Sequence, residues 1–188
     1  MSEYDFGYWY NYVATPQEKE LANKIGEYEP LFEDMVFDSD EFEFCIPDEI
    51  KYFDITQVQF KIEQLSESCG YYNHKDKVLC ISPEYANDTP TILHEMIHIY
   101  EEFISEYRYL HDVAFWNIYT ALKEKIPQQI DDLITEQANT LYQIEYMNMG
   151  GTHDILFYLK SIDLDIKMNY PRGTIFNYYN LLQARETN

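Results

Sequence analysis

The sequence predicts a single domain of α+β architecture, in which a helix precedes a small antiparallel sheet and several helices follow it. Two observations predict this order. Apolar residues alternate with polar ones in the middle of the chain, and they recur at helical spacing on both sides of it. The chain has 188 residues, 46% of them hydrophobic, so we expect residues 1–188 to build one core.

The first helix is predicted from about Pro16 to Met35. Thr15 and Glu18 match a capping box around a proline at the first helical position. The apolar residues that follow share one helical face and are Leu21, Ile25, Tyr28 and Phe32. The acidic segment after the helix is predicted to be a connection that contains a short strand at Phe42–Ile46.

The sheet is predicted to lie between about residues 42 and 82. A half-buried strand is indicated by apolar residues at every second position, which are Val58, Phe60 and Ile62. A hairpin is expected next, with arms at Tyr71–Tyr72 and Val78–Ile81 and a turn at Asn73–Asp76.

Helices are predicted for most of the chain from Thr89 to the carboxyl terminus. A second helix of this series is expected to begin near Asp112, which would cap it, and to end before Pro127. A third should run from about Gln128 to Met149 and end at a pair of glycines. A shorter helix is expected to follow from Thr152.

The formal net charge of -21 limits the classes of partner. Fourteen acidic residues and only two lysines lie among the first fifty residues, and no cluster of lysine or arginine occurs anywhere. Such a chain repels nucleic-acid phosphates and anionic membrane surfaces. We therefore expect no nucleic acid and no membrane as partner, and we expect basic or neutral partners instead.

The cysteines and the amino-terminal residues indicate in which cellular compartment the protein is expected. Cys45, Cys69 and Cys80 form no C-x-x-C pair, which disfavours a disulfide framework and a cysteine-based zinc ribbon and favours buried thiols. The amino terminus lacks the basic and apolar regions of a signal peptide, and no apolar run reaches the length of a membrane span. These features predict a cytoplasmic protein.

The segment Thr89–Phe103 holds His94, Glu95 and His98 in the spacing H-E-x-x-H. Residues four apart lie on one helical face, so both imidazoles can bind one zinc ion, while Glu95 points about 100° away, towards a metal-bound water. Zinc would acidify that water, and Glu95 would pass its proton to the leaving amine of a peptide. An apolar stripe should pack this helix on the core and leave the histidines facing a cleft; it consists of Leu93, Met96, Ile97, Tyr100, Phe103 and Ile104.

A catalytic zinc site needs a third protein ligand and keeps one open position. We expect this ligand to be His111, because the connection after the motif is long enough to fold back to the metal. The alternatives are His153, which lies in a similar H-D-x-x-F string, and a carboxylate such as Glu101 or Glu124. His74 is expected to be a solvated residue of the hairpin turn.

The stretch from Val78 to Phe115 resembles the SprT-like (Spartan-type) zinc metalloproteases. The strand end L-C-I-S, the helical segment L-H-E-M-I-H and the later string H-D-V-A-F-W match the pattern of that family over about forty residues. The resemblance implies a zincin-like fold, zinc bound by His94, His98 and His111, and Glu95 as the catalytic carboxylate.

Departures from the family pattern narrow what the resemblance implies. Asp112 stands where the family has glycine, no zinc ribbon follows, and the acidic composition does not suit DNA-linked proteolysis. We therefore expect the catalytic core of the family without a role in DNA repair. A strand around Val78–Ser82 is a candidate edge for aligning an extended peptide by strand addition.

The predicted function is that of a zinc-dependent metallopeptidase acting on protein or peptide substrates. One rival is a non-catalytic zinc-containing protein whose acidic surface binds a basic partner, and the other is a zinc hydrolase of small amides. The presence of Glu95 disfavours the first rival, since a structural zinc site needs no base. The shape of the pocket separates the second rival from a peptidase.

Overall fold

A computed structural model of the chain describes residues 13–35, 55–66, 68–105, 108–127, 130–131 and 153–176. At residues 33–35 and 108–112 it describes the backbone alone. The predicted strand Phe42–Ile46 lies outside the described residues, as does the predicted helix Gln128–Met149 apart from two helical residues.

Helix α1 (Pro16–Tyr28) begins at the predicted capping box. The Thr15 hydroxyl accepts from the Glu18 amide at 3.2 Å, and the Glu18 carboxylate accepts from the Thr15 amide at 2.7 Å. The prediction of one helix up to Met35 is only partly right, because the chain continues as a 3₁₀ helix over Glu29–Met35. Pro30 explains the change, since it has no amide proton to continue the α-helical hydrogen bonds.

The three strands form one mixed sheet in the order β1-β3-β2. β2 (Gly70–Asn73) and β3 (Val78–Ile81) form the predicted antiparallel hairpin. β1 (Gln59–Ile62) pairs with β3 in parallel, so the prediction of an antiparallel sheet is wrong for this pair. The connection after β1 crosses to the opposite edge of the sheet, and the hairpin then returns β3 between the other two strands.

The strand order also changes which strand offers an edge. β3 is the central strand, so the prediction of an edge around Val78–Ser82 is wrong. β2 is the strand at one edge, where it pairs with β3 alone among the described residues. Any strand added to this side of the sheet would therefore lie along β2.

Three further helices follow the sheet in the described part of the chain: α2 (Thr89–Ser105), α3 (Arg108–Lys125) and α4 (Ile155–Lys167). The predicted end of α3 before Pro127 is confirmed, but Asp112 is not its cap, because the helix has already begun four residues earlier. α4 begins close to the predicted Thr152, and its N-cap is Asp154, whose carboxylate accepts from the Phe157 amide at 2.9 Å.

Helix α2 is the buried centre of the fold, in contact with β2, α3 and α4. Every residue from 91 to 100 is buried, and the predicted apolar stripe lies in the core apart from the half-buried Phe103. The α+β architecture is thus confirmed for the described residues. None of the described helices is long and apolar enough to cross a membrane.

Candidate metal centre

Helix α2 places three polar side chains inside the protein. His94, Glu95 and His98 are only 4%, 2% and 9% exposed. The rings of His94 and His98 lie one helical turn apart, with centroids separated by 5.4 Å and an edge-to-face arrangement. Burying polar groups is costly unless they have partners, so three such residues together indicate a binding site rather than a solvated surface.

His153 joins the two helical histidines from the start of α4. Its Nε2 atom lies 3.3 Å from Nε2 of His98, and their rings are stacked with centroids 5.0 Å apart. One ligating atom from each of His94, His98 and His153 lies within 4.8 Å of the others. The N-cap at Asp154 fixes the first turn of α4 and thereby fixes the residue immediately before it.

Phe157 forms an apolar floor beneath the three imidazoles. Its ring centroid is 4.3 Å from that of His153 and 4.8 Å from those of His94 and His98. The side chain is fully buried in the core. Aromatic packing on all three rings restricts their rotation and keeps water from the side of the cluster that faces the core.

The hydrogen bond of His94 defines its tautomer. Nδ1 of His94 lies 3.0 Å from the carbonyl oxygen of Ile175. A carbonyl oxygen only accepts, so Nδ1 carries the proton of the neutral ring and Nε2 keeps its lone pair. A histidine ligand of a metal ion is typically held in this way, through the ring nitrogen that does not bind the metal.

All three imidazoles are neutral near pH 7. Burial, and then the neighbouring His153, hold the pKa of His94 well below its ordinary value. Burial, again followed by His153, lowers the pKa of His98 to about 3. Burial also lowers the pKa of His153, although the Asp154 carboxylate works in the opposite direction. Neutral imidazole is the form that binds a metal ion.

A pair of carboxyl groups lies on the far side of His98. Oε2 of Glu101 is 3.6 Å from Nδ1 of His98, the ring nitrogen that faces away from His153. Burial, together with the charge of Asp154, raises the pKa of Glu101 to about 10. Glu101 therefore carries a proton at neutral pH, and it contacts His98 on the side opposite the histidine cluster.

The cluster opens into a cavity of about 280 Å³ between α2 and β2. It is lined by Gly70, Tyr71, Tyr72, His74, His94, Glu95, His98 and His153. Gly70 gives the Glu95 side chain room, because a Cβ atom at this position would lie 3.0 Å from both Cγ and Oε1 of Glu95. The glutamate is thus held between its helix and the backbone of β2.

His74 is exposed in the hairpin turn, as predicted, yet it also lines the cavity. Its Nδ1 atom lies 3.5 Å from Oε2 of Glu102 on α2, and its ring meets that of Tyr72 edge to face at 5.0 Å. No pattern in the sequence brings a turn residue to the cavity, because that placement depends on how the hairpin packs on α2.

The structure brings together two of the three predicted metal ligands, His94 and His98, and places Glu95 in the same cavity. His111 lies in the first turn of α3, but its side chain is outside the description, so its role as a ligand stays a prediction. Neither Glu101 nor Glu124 belongs to the metal-binding group found among the described residues. The H-D-x-x-F string around His153 is the sequence signal for the third member of that group.

Comparison of the chain with family models, with curated proteins and with solved structures finds no match.

Proposed function

We propose that the protein is a zinc-dependent peptidase with a zincin-like, SprT-like catalytic core. The observation that carries the proposal is the cluster of His94, His98 and His153 beside the buried carboxylate of Glu95 in one open cavity. A structural zinc site is closed by four protein ligands, whereas three histidines beside a cavity leave one position for water and substrate.

The donor set fits zinc. Two nitrogen ligands at about 2.0–2.1 Å from a tetrahedral ion lie about 3.3 Å from each other. The Nε2 atoms of His98 and His153 have this separation. The lone pair of His94 is on Nε2, because Nδ1 donates its proton to the carbonyl oxygen of Ile175. Imidazole nitrogen is a good ligand for zinc, as it is for copper, iron and nickel ions.

In this proposal His94, His98 and His153 hold the ion, and His153 takes the place that the SprT-like pattern implies for His111. A ligand from the start of α4 departs from that pattern, in which the third histidine follows soon after the motif. The H-E-M-I-H helix and the L-C-I-S strand support the resemblance: the helix is α2, which lies at the cavity next to β2, and the strand is β3, which pairs with β2.

Glu95 has the general base and acid roles. Bound zinc would polarise the peptide carbonyl and lower the pKa of water at the open position. The Glu95 carboxylate accepts a proton from the attacking water and donates it to the amine nitrogen of the product as the C–N bond breaks. Its burial between α2 and Gly70 fixes the carboxylate and excludes bulk water from it.

The edge strand β2 supports a peptide rather than a small amide as substrate. Gly70, Tyr71 and Tyr72 of this strand line the cavity beside Glu95. An extended peptide added to the edge of β2 would place its backbone along the cavity by main-chain hydrogen bonds. The tyrosine rings and His74 would then contact substrate side chains.

The direct test is proteolysis of a panel of denatured proteins, with new termini read by mass spectrometry. Wild type loaded with zinc should cleave, and protein stripped by a chelator should not until zinc is restored. Glu95→Gln should bind zinc and fail to cleave. If the stripped protein or Glu95→Gln cleaves as wild type does, the proposed chemistry is wrong.

A further inference from the structure

We propose that Asp165 is a positioning residue that holds His94 in its ligating orientation through the backbone of Ile175. The inference deepens the metal centre proposed above and rests on it. Asp165 lies on α4, twelve residues beyond the site histidine His153, and it does not line the cavity. Its influence on the site must therefore pass through the turn that follows α4.

Asp165 holds this turn by two hydrogen bonds from the backbone. Its Oδ2 atom accepts from the Gly173 amide at 2.6 Å, and its Oδ1 atom accepts from the Ile175 amide at 3.1 Å. The carbonyl of Asp165 itself accepts from the Tyr170 amide at 2.8 Å. The carboxylate is fully buried, so both of its oxygens are committed to this turn rather than to water.

The backbone of Ile175 connects Asp165 to His94. The Ile175 amide donates to Asp165, and the Ile175 carbonyl accepts from Nδ1 of His94 at 3.0 Å. The amide and the carbonyl belong to successive peptide planes that only the φ and ψ dihedrals of Ile175 separate, so holding the amide restricts where the carbonyl oxygen can lie. The ring of His94 then holds its proton on Nδ1 and keeps its lone pair on Nε2, which is the tautomer that binds a metal ion through Nε2.

Asp163 offers a matched control on the same helix. It is also buried, but its carboxylate faces the ammonium groups of Lys125, Lys160 and Lys167 at 3.6, 3.3 and 2.8 Å. Asp163→Asn therefore removes a buried charge from α4 without touching the turn. A general loosening of α4 would appear in both variants, whereas loss of the link to His94 would appear only in Asp165→Asn.

The first measurement uses the metal-free protein, so that it does not depend on zinc binding. Long-range ¹H–¹⁵N correlation spectra report which nitrogen of each histidine carries the proton. We expect the Nδ1–H tautomer for His94 in wild type and in Asp163→Asn. In Asp165→Asn we expect a shift towards the Nε2–H tautomer, because an amide side chain cannot accept from both backbone donors.

The second measurement is the zinc affinity, obtained by competition with a chelator and with zinc alone as the probe. Asp165→Asn should weaken zinc binding by about 10-fold, in the range seen for residues that support metal ligands. Should that variant fail to fold, Gly173→Ala tests the same path, because Gly173 has a φ of 83° and donates to Asp165.

The outcomes separate this inference from the proposed function. If the wild type binds no zinc, the metal centre fails, while the tautomer of His94 still tests the link to Asp165. An unchanged tautomer and affinity in Asp165→Asn would overturn the inference. Equal changes in Asp163→Asn would overturn it as well, since the effect would then be a general one on α4.

Discussion

The Nε2 atoms of His98 and His153 lie 3.3 Å apart, although 55 residues separate the two histidines in the chain. Both rings rest on the buried Phe157. Without a metal ion, one neutral ring can donate an N–H to the other across this distance, whereas a bound cation would take the lone pairs of both nitrogens. This pair therefore provides the most direct test of the metal centre.

The first prediction concerns the ligand set. Purified protein should contain about one zinc ion per chain, and His153→Ala should lower the affinity by more than about 100-fold, because a direct ligand contributes more than the groups that support it. Metal analysis and chelator competition measure both quantities.

His74→Ala is the matched control, because His74 lines the cavity and stands outside the group of three ligating residues. It should keep its zinc. If His111→Ala loses the metal and His153→Ala retains it, the ligand predicted from the sequence is right and the proposed one is wrong.

Local patterns were sufficient for several of the described elements. The capping box at Thr15, the hairpin before Ile81 and the helix over His94 each depend on residues close in sequence, and the structure has all three. The parallel pairing of β1 with β3 was not predictable in this way. This pairing arises because the chain after β1 crosses to the opposite edge of the sheet. The alternation of apolar and polar residues shows which face of a strand is buried, but it carries no information about the order of strands.

In the candidate site, too, some features follow from local sequence and others depend on packing between distant elements. His94, Glu95 and His98 lie on one helix, so their spacing alone predicts a shared face. The H-D-x-x-F string occurs at both His111 and His153, so local sequence does not choose between them. The contacts of His94 with Ile175 and of Gly70 with Glu95 arise from packing between distant elements and have no local signal.

The second prediction separates chemistry from metal binding. Glu95→Gln should retain zinc and fold normally, because the side chain keeps its shape and is not in the ligand group. Its peptidase activity should fall by about 100-fold or more, since one carboxylate supplies both proton transfers. The readout is the initial rate of peptide cleavage at equal zinc content; a rate near that of wild type would exclude Glu95 as the base.

The third prediction concerns the space beside Glu95. Gly70→Ala would place a methyl group 3.0 Å from the carboxylate and displace it. We expect kcat to fall by about 10-fold or more, because small displacements of a catalytic group are costly, while zinc content stays unchanged. Steady-state kinetics and metal analysis measure the two effects.

Gly26→Ala is the control for this substitution. Gly26 lies in α1 and not at the cavity, and alanine in a helix adds about 0.5–1 kcal/mol of stability. This variant should cleave as wild type does. Equal kinetics for wild type and Gly70→Ala would show that the position of Glu95 tolerates the added methyl group.

The fourth prediction follows from the pKa of Asp165, which burial raises from 3.8 to about 6 against the effect of its backbone hydrogen bonds. Between these two values the folded protein holds a proton that the unfolded chain releases. The contribution of Asp165 to stability is therefore largest below about pH 3.8, and it declines as the pH rises to about 6.

Urea unfolding of wild type and Asp165→Asn at several pH values isolates this contribution. The free energy of unfolding of wild type, relative to the variant, should decrease by on the order of 2 kcal/mol between pH 3.5 and pH 7. A difference that grows with pH would mean that hydrogen bonding, and not burial, dominates at this carboxylate.

The fifth prediction is that the protein does not bind nucleic acid. The formal net charge is -21, and the chain carries only 13 basic residues. Three of these, Lys125, Lys160 and Lys167, surround the Asp163 carboxylate, which offsets part of their positive charge. Among the described residues that line the cavity, the one acidic residue, Glu95, is joined by no lysine or arginine that could bind a phosphate.

Fluorescence anisotropy with labelled single- and double-stranded DNA at physiological salt should show no binding, and DNA should not accelerate cleavage. Phosphate binding depends on several lysines or arginines acting together, and each contact makes affinity more sensitive to salt. A basic peptide should instead be cleaved faster than its acidic counterpart of the same length, with the difference shrinking as salt is added. Micromolar affinity for DNA that weakens steeply with salt would contradict the prediction and would restore the DNA-linked role of the Spartan branch.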